Sequence, residues 1–271
     1  MYAGTTFRTK SGRVMGVHQK IDRVARRHLK KYLHDNVDFP TIHDILHFEG
    51  MNGPDGIKRK SPSVDEPWHF INPQDPNDRA LVDMILDHIS NMTTALKNNN
   101  YERVAFEAAW MSHAVTDGLT PAHHYPLEAK LEELRGEGMS SRSSAKEKIL
   151  IPGKTKIQMV RNNWEFWGTK GVMTTHVGFE LGVATTIMSE RLAKATPTQE
   201  QIEMLKSKGF EAVFRSIMKE IDDMRMYDEF SRFGWSGHLA NETRLKLIPR
   251  IIQAVTLGWM LALHDAKKIK L

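Results

Sequence analysis

The chain has 271 residues, no cysteine and a formal net charge of +5, with 40% hydrophobic and 26% charged residues. This composition is typical of a globular protein with a sizeable core, and it excludes disulfides and thiolate metal sites, so any metal would need nitrogen and oxygen ligands. The basic balance favours anionic partners such as phosphates, nucleic acid or an acidic membrane surface, without choosing among them.

The N-terminal half shows helical periodicity that one irregular segment interrupts. Apolar residues at helical spacing predict a first helix within residues 11–33, with Ser11 as a candidate N-cap, and a short helix over 41–49. Residues 50–77 are rich in Gly, Pro, Asn and Asp and predict a long irregular segment. Helices are expected over 78–98 and from Tyr101 to Asp117, where "GLTP" ends the second one.

The C-terminal half is also predicted to be helical, over residues 127–135, 155–167, 172–194, 198–228 and 240–267. Pro249 should kink the last of these helices. The polar run "GEGMSSRSSAKEK", residues 136–148, predicts a mobile loop. Strand signals are scarce and no linker divides the chain, so we expect one all-α domain over residues 1–271.

No segment of the sequence indicates a membrane span or an exported precursor. The N-terminal stretch "MYAGTTFRTKSGRVMGVHQK" lacks an apolar core of signal-peptide length. No run approaches the roughly 20 apolar residues of a membrane span. As written, the chain is expected to be cytoplasmic, although a mature chain trimmed of its signal and secreted would look the same.

Titratable residues concentrate in a largely apolar stretch, "AAWMSHAVTDGLTPAHHY". His113 and Asp117 are four apart on a predicted helix, which puts both side chains on one face. His176 and Glu180, in "TTHVGFELG", repeat this spacing on another predicted helix. Ionised carboxylates on apolar faces are costly unless they are paired or bind a metal. Each pair alone fits a helix hydrogen bond equally well, and the repetition favours a metal site.

These two pairs belong to an ordered series of eight residues: His18, Asp55, His69, His113, Asp117, His123, His176 and Glu180. The aspartate that closes "GMNGPD" precedes the next histidine by fourteen positions. The pattern His-x3-Asp-x5-His follows, with Pro121 two residues before its last histidine, and His-x3-Glu ends the series. In this order and on a helical background, the series resembles the zinc-dependent phospholipase C family, which is related to single-strand-specific zinc nucleases.

The resemblance implies the helical bundle of that family and a cluster of two or three Zn²⁺ ions. The implied ligand sets are Asp55, His69, His113 and Asp117 for one ion, His123, His176 and Glu180 for a second, and a shared Asp117 with His18 for a third. Asp55 would serve as a ligand and, as the candidate catalytic residue, could also orient the attacking water or act as a base. The implied reaction is phosphodiester hydrolysis by metal-activated water.

The family also implies partners for the chain, and the spacing of the series departs from the family pattern at one place. The substrate would be the phosphodiester of a phospholipid or of nucleic acid, with peripheral membrane contact in the first case. The distance from His123 to His176 is long for the phospholipase members and implies an insertion within residues 124–175, near the mouth of the site. A nuclease would need aromatic platforms for bases, for which Trp68, Tyr125, Trp164 and Trp167 are candidates, although aromatic side chains are more often core.

Two other classes remain open. A helical HD-type metal phosphohydrolase is suggested by the dipeptides His34-Asp35, His43-Asp44 and His264-Asp265, although a dipeptide is common by chance. The second is a catalytically degenerate protein that binds zinc only for structure. A structural zinc site is closed and four-coordinate, whereas a catalytic site keeps an open position.

Overall fold

The computed structural model describes residues 16–34, 37–60, 69–138, 141 and 150–271. Within these ranges no β-strand occurs, and the predicted all-α class is confirmed. The α-helices are α1 (Val17–Leu29), α2 (Ile42–His47), α3 (Pro54–Lys60), α4 (Ala80–Lys97), α5 (Tyr101–Gly118), α6 (Leu127–Arg135), α7 (Lys156–Trp167), α8 (Val172–Ile187), α9 (Gln199–Asp223), α10 (Met226–Phe233), α11 (Gly237–Glu242) and α12 (Ile248–Asp265).

The main core surrounds α12, which packs against α1, α4, α5 and α9. Most residues of α12 are buried, and the indole of Trp259 donates a hydrogen bond to the carbonyl oxygen of Ala108 on α5 at 3.1 Å. By length and apolar content, the continuous run Gly237–Asp265 could cross a membrane, but 78% of its most apolar window lies inside the fold. That degree of burial is typical of a core helix.

A second, smaller apolar cluster joins α6, α7 and the segment before α4. Its members are Phe70, Leu127, Leu131, Leu134, Ile151 and Phe166. The buried amide of Asn162 on α7 ties the cluster together, since it donates to the carbonyl oxygens of Leu134 at 2.7 Å and Pro152 at 2.8 Å. Most of this cluster falls within residues 124–175, so the segment predicted to be an insertion has a small core of its own.

Several predicted helices agree with the structure to within a few residues, and two predictions need correction. The segment 50–77 was expected to be irregular, but it contains a 3₁₀ turn at Gly50–Asn52 and then α3. Pro54 occupies the first position of α3, where its missing N–H costs nothing. The helix predicted over 172–194 ends at Ile187, where Lys20 of α1 donates to the carbonyl oxygens of Ile187 and, at 2.9 Å, Met188. This lysine satisfies the carbonyls of the helix end.

The two helices predicted nearest the C-terminus were also expected to be continuous, whereas each is interrupted in the structure. The helix predicted over 198–228 has left-handed backbone at Gly209 (φ +78°) and again at Arg225 (φ +52°), so α9 is broken internally and α10 starts separately. The helix predicted over 240–267 consists of α11, a π-helical segment Thr243–Leu247, and α12. The irregularity expected at Pro249 therefore lies just before it, and the proline sits in the first turn of α12, where it is tolerated.

Some predictions lie outside the described residues. They are the N-cap at Ser11, the aromatic platform at Trp68, and most of the loop over 136–148. In the described part, α1 begins after Gly16, whose N–H donates to the Gln19 side chain at 3.0 Å.

Candidate metal centre

The centre is built on α5, whose inner face carries His113 and Asp117 one turn apart. Both side chains are almost completely buried, and His113 Nε2 lies 3.3 Å from Asp117 Oδ2. Asn100 caps the start of this helix by accepting a hydrogen bond from the N–H of Arg103. Asp117 then sits in the last turn of α5, immediately before Gly118, where a Cβ would overlap the side chains of Leu81 and Phe214.

Side chains from four other elements reach Asp117 or its neighbours. His18 of α1 places Nε2 3.3 Å from Asp117 Oδ1, and His69 places Nδ1 2.6 Å from Asp117 Oδ2. Asp55 of α3 lies 3.7 Å from His113 Nε2. On the opposite side, Glu180 of α8 approaches two histidines through Oε1, namely His123 at 3.1 Å and His176 at 3.0 Å.

The eight residues of the sequence series thus form three adjacent groups. In each group the possible ligand atoms lie within 4.8 Å of one another. The groups are His18, His113 and Asp117; Asp55, His69 and His113; and His123, His176 and Glu180. Five imidazoles and three carboxylates supply a nitrogen and oxygen donor set of the kind that zinc accepts.

The ring of His123 is held in one orientation and one tautomer. Its Nδ1 donates to the carbonyl oxygen of His69 at 2.7 Å, and its own carbonyl accepts from the N–H of Ile71 at 3.2 Å. Phe70 stacks on the ring with centroids 5.2 Å apart. Because a carbonyl can only accept, Nδ1 carries the proton of the neutral ring and Nε2 faces Glu180 as a lone pair.

The charges of the centre shift its pKa values in opposite directions. Burial raises the pKa of Asp117, yet the imidazoles of His123, His113 and His18 outweigh burial and hold it well below its ordinary value. Burial lowers the pKa of His113, but the carboxylates of Asp117, Glu49 and Asp55 raise it well above its ordinary value. For His123 burial dominates and lowers the pKa to about 4.

The geometry at two places fits a bound cation. His123 Nε2 and the ionised Oε1 of Glu180 lie 3.1 Å apart, while the Nδ1 proton of His123 is directed to the carbonyl oxygen of His69. Buried His113 Nε2 lies near two carboxylates but makes no hydrogen bond to any residue in the described ranges. A divalent ion between such atoms would convert both arrangements into coordination.

Glu49 is a site residue that sequence reasoning missed. It follows α2, is almost completely buried, and places Oε2 3.4 Å from His113 Nδ1. This arrangement resembles the carboxylate–histidine–metal triads in which an outer carboxylate fixes the ligand tautomer. No clear sequence signal marks Glu49, because it has no fixed spacing to His113 and only the tertiary fold brings the two residues together.

Asp22 is a second buried acid that the sequence did not single out as part of the centre. It lies one turn after His18 on α1 and accepts a hydrogen bond from the hydroxyl of Ser112. Burial and the nearby carboxylate of Glu49 raise its pKa well above the ordinary value. A raised pKa favours the protonated form of Asp22, which reduces the negative charge buried behind His113.

The other titratable candidates have separate roles. Asp44 caps α2 through its hydrogen bonds with Thr41, and His264 pairs with Asp265 at an exposed end of α12. Neither Asp44 nor His264 belongs to the ligand groups found among the described residues. Asp35 lies outside the described residues. The HD-type alternative therefore gains no support from the two dipeptides that the structure describes.

His124 supports the centre from outside. Its Nε2 lies 3.0 Å from the carbonyl oxygen of Gly118, and its Nδ1 lies 3.8 Å from Asp222. The nearby His124 lowers the pKa of Asp222, which favours its ionised form. Asp222 also accepts a hydrogen bond from the side-chain amide of Gln74.

The chain was compared with known protein families, sequences and structures. No family model matches the chain, and no curated protein matches it in sequence. Among solved structures, the chain is similar to the crystal structure of the alpha-toxin of Clostridium perfringens from avian strain SWCP, with a TM-score of 0.57 and 15% identity. The similarity covers 96% of this chain and 65% of that chain. At this identity the likeness concerns the all-helical fold.

Proposed function

We propose that this chain is a zinc-dependent phosphoric diester hydrolase of the phospholipase C type. The observation that carries the proposal is the convergence of the three ligand groups, drawn from α1, α3, α5, α8 and the turns beside them, onto one buried carboxylate, Asp117. The fold that it shares with a clostridial toxin adds support.

Two or three zinc ions would be held by the three groups, with Asp117 between them. When bound, zinc supplies Lewis acidity that lowers the pKa of water to about 7 and neutralises phosphate oxygens. Asp117 and Glu180 would balance this charge, since nearby positive charge overcomes the effect of burial and keeps both pKa values well below the ordinary range.

Asp55 is proposed to hold metal and to orient the attacking water. Its side chain is 38% exposed, so it is the ligand candidate with the most open access to a substrate. Burial tends to raise its pKa, but His113 outweighs that effect and holds the pKa below its ordinary value. A carboxylate that is always ionised is a good ligand and hydrogen-bond acceptor, whereas its weak basicity disfavours a role as general base.

A direct test compares hydrolysis of bis-p-nitrophenyl phosphate by the wild type, Asp117→Asn and Asp222→Asn. The last is a matched control, because Asp222 is an acid near the centre but outside the ligand groups. We expect zinc-dependent turnover that a chelator abolishes, a loss of at least about 100-fold in Asp117→Asn, and near-normal turnover in Asp222→Asn. Turnover like that of the wild type in Asp117→Asn would refute the proposal.

A single-strand nuclease or nucleotidase is the second candidate. It is favoured by Trp164 and Trp167, which are exposed on α7 and could stack bases. A panel of phosphatidylcholine vesicles, single-stranded DNA and RNA separates the two activities. Zinc-dependent stability without turnover on any of these substrates would instead assign a structural role to the metal.

A further inference from the structure

Helix α7 has apolar residues on two opposite faces. Its inner face buries Phe166 in the small cluster beside α6. Its outer face carries Ile157, Val160, Trp164 and Trp167, whose exposed fractions are 83%, 66%, 69% and 42%. These four positions follow helical spacing and form one stripe. A helix that is apolar on both faces is expected where both are covered, so the outer stripe indicates a partner.

The neighbouring helix α8 continues the apolar character next to the metal centre. It packs against α7 and turns His176 and Glu180 inward. The residues that directly follow these two, Val177 and Leu181, are 42% and 47% exposed. Exposed apolar side chains therefore begin one residue away from the candidate ligands, on the helix that supplies them.

The charges within α7 and directly beside it in the sequence are almost all positive. Lys154, Lys156, Arg161 and Lys170 are exposed in or beside the helix. The only acid between Leu150 and Gly171 is Glu165, which pairs with Lys130 at 3.1 Å. An apolar stripe with tryptophan, flanked by Lys and Arg, is typical of a helix that lies in the interface of an anionic bilayer.

We propose that the outer faces of α7 and α8, here called the α7–α8 surface, dock the protein on an anionic lipid bilayer. The composition of the α7–α8 surface favours lipid over nucleic acid, because its aliphatic members Ile157, Val160, Val177 and Leu181 have no ring on which a base could stack. The inference rests on the proposed function only in that the bilayer would also present the phosphodiester to the metal centre.

The test is co-sedimentation with vesicles of phosphatidylcholine alone and of phosphatidylcholine with phosphatidylserine, in excess chelator. The variants are Trp164→Glu in the stripe and Leu245→Glu as a matched control, since Leu245 is 74% exposed but lies in the π-helical segment. We expect binding that increases with phosphatidylserine, a loss of about tenfold or more in Trp164→Glu, and little change in Leu245→Glu. Unchanged melting temperatures would show that both variants fold.

Three outcomes would overturn the proposal. They are equal binding by the wild type and Trp164→Glu, an equal loss in Leu245→Glu, and no vesicle binding by a wild type that instead dimerises or binds single-stranded DNA through Trp164. Because the assay contains no free zinc, it can succeed while hydrolysis fails, and the reverse also holds. The docking surface and the proposed reaction are therefore tested separately.

Discussion

At the scale of single residues, the ability of the centre to bind metal depends on how its histidines are oriented. Two of them have an identified partner on the nitrogen that would not bind metal: the carbonyl of His69 for His123 and the carboxylate of Glu49 for His113. Such outer partners set the tautomer and the basicity of the ligand. They also distinguish a built site from a chance cluster of acids.

Replacing Glu49 should weaken zinc binding. We expect Glu49→Ala to lower the zinc affinity by roughly 10–100-fold, and Glu49→Gln to lower it less because its amide oxygen can still accept from His113 Nδ1. Zinc titration by calorimetry measures the effect.

The matched control for Glu49 is Glu107→Gln. Glu107 is also fully buried and also pairs with a histidine, His88, but it lies outside the three ligand groups. This variant should lower stability while leaving zinc affinity unchanged. Equal zinc affinity in Glu49→Ala and the wild type would remove Glu49 from the site.

His123 should make the metal-free protein sensitive to acid. Its folded pKa of about 4 lies below the ordinary value of 6.5, so the unfolded chain binds more protons between these two pH values. The stability contribution of the neutral ring is present above pH 6.5 and is lost as pH falls toward 4. The wild type should therefore lose up to about 3 kcal/mol more than His123→Asn in this window.

Denaturant unfolding in chelator at several pH values measures this difference. Parallel pH dependences of the wild type and His123→Asn would contradict the assignment of a neutral, buried imidazole. The same experiment at pH 7 and above should show no pH-dependent difference that originates from His123.

At the scale of elements, α8 has to stay in place for its two candidate ligands to reach the centre. Gly182, two residues after Glu180, lies so close to Trp235 that a Cβ at this position would overlap the indole ring. Gly178, one turn earlier, leaves 3.2 Å between such a Cβ and the ring of Phe230. The two glycines offer a matched pair on one helix.

Gly182→Ala should destabilise the protein by about 1–3 kcal/mol, because the indole cannot move aside without shifting α8. Gly178→Ala should be close to neutral, since the gain in helix propensity offsets a tight contact. Thermal unfolding and zinc titration of both variants check the prediction. A stability of Gly182→Ala equal to that of Gly178→Ala would show that α8 is not held by this contact.

Elements with a strong internal signal could be predicted from the sequence. Helices α4, α5, α6 and α7 have clear periodicity. Gly, Asn or Thr residues cap or break each of them at one end or the other. Helix α3 was missed because Pro54 and Gly56 are typical of turns, and its formation depends on contacts around the 3₁₀ turn before it. The breaks at Gly209 and Arg225 were also missed, because amphipathic periodicity continues across them.

The candidate site likewise contains residues that could be predicted from the sequence and residues that could not. The pairs His113 and Asp117, and His176 and Glu180, follow from helical spacing, since four residues place two side chains on one face. The rest of the series depended on its resemblance to a family. Glu49 and Asp22 could not be predicted, because their roles follow from the packing of α1 and α2 behind α5 and have no sequence spacing.

At the scale of the whole molecule, the metal would connect helices that are far apart in the chain. Candidate ligands come from α1, α3, α5 and α8, and α1 and α5 also pack on the central α12. Metal that binds the folded state alone stabilises it by about 4 kcal/mol when its free concentration is 1,000 times the dissociation constant. Zinc removal should therefore affect global unfolding and not one loop.

Excess chelator should lower the melting temperature of the wild type by on the order of 10 °C, and added zinc should restore it. Asp117→Asn should respond much less to either treatment, because it lacks the carboxylate between the groups. Differential scanning calorimetry measures both. If neither chelator nor zinc changes the melting temperature of the wild type, the converging side chains hold no metal in solution.

Whether the three ligand groups hold zinc is tested most directly by the zinc content of the purified protein after dialysis against metal-free buffer. We expect two or three zinc ions for each wild-type chain, in line with three adjacent ligand groups, and clearly fewer in Asp117→Asn. A wild-type chain that retains no zinc, even after incubation with excess zinc, or an Asp117→Asn variant that retains as much as the wild type, would contradict this expectation.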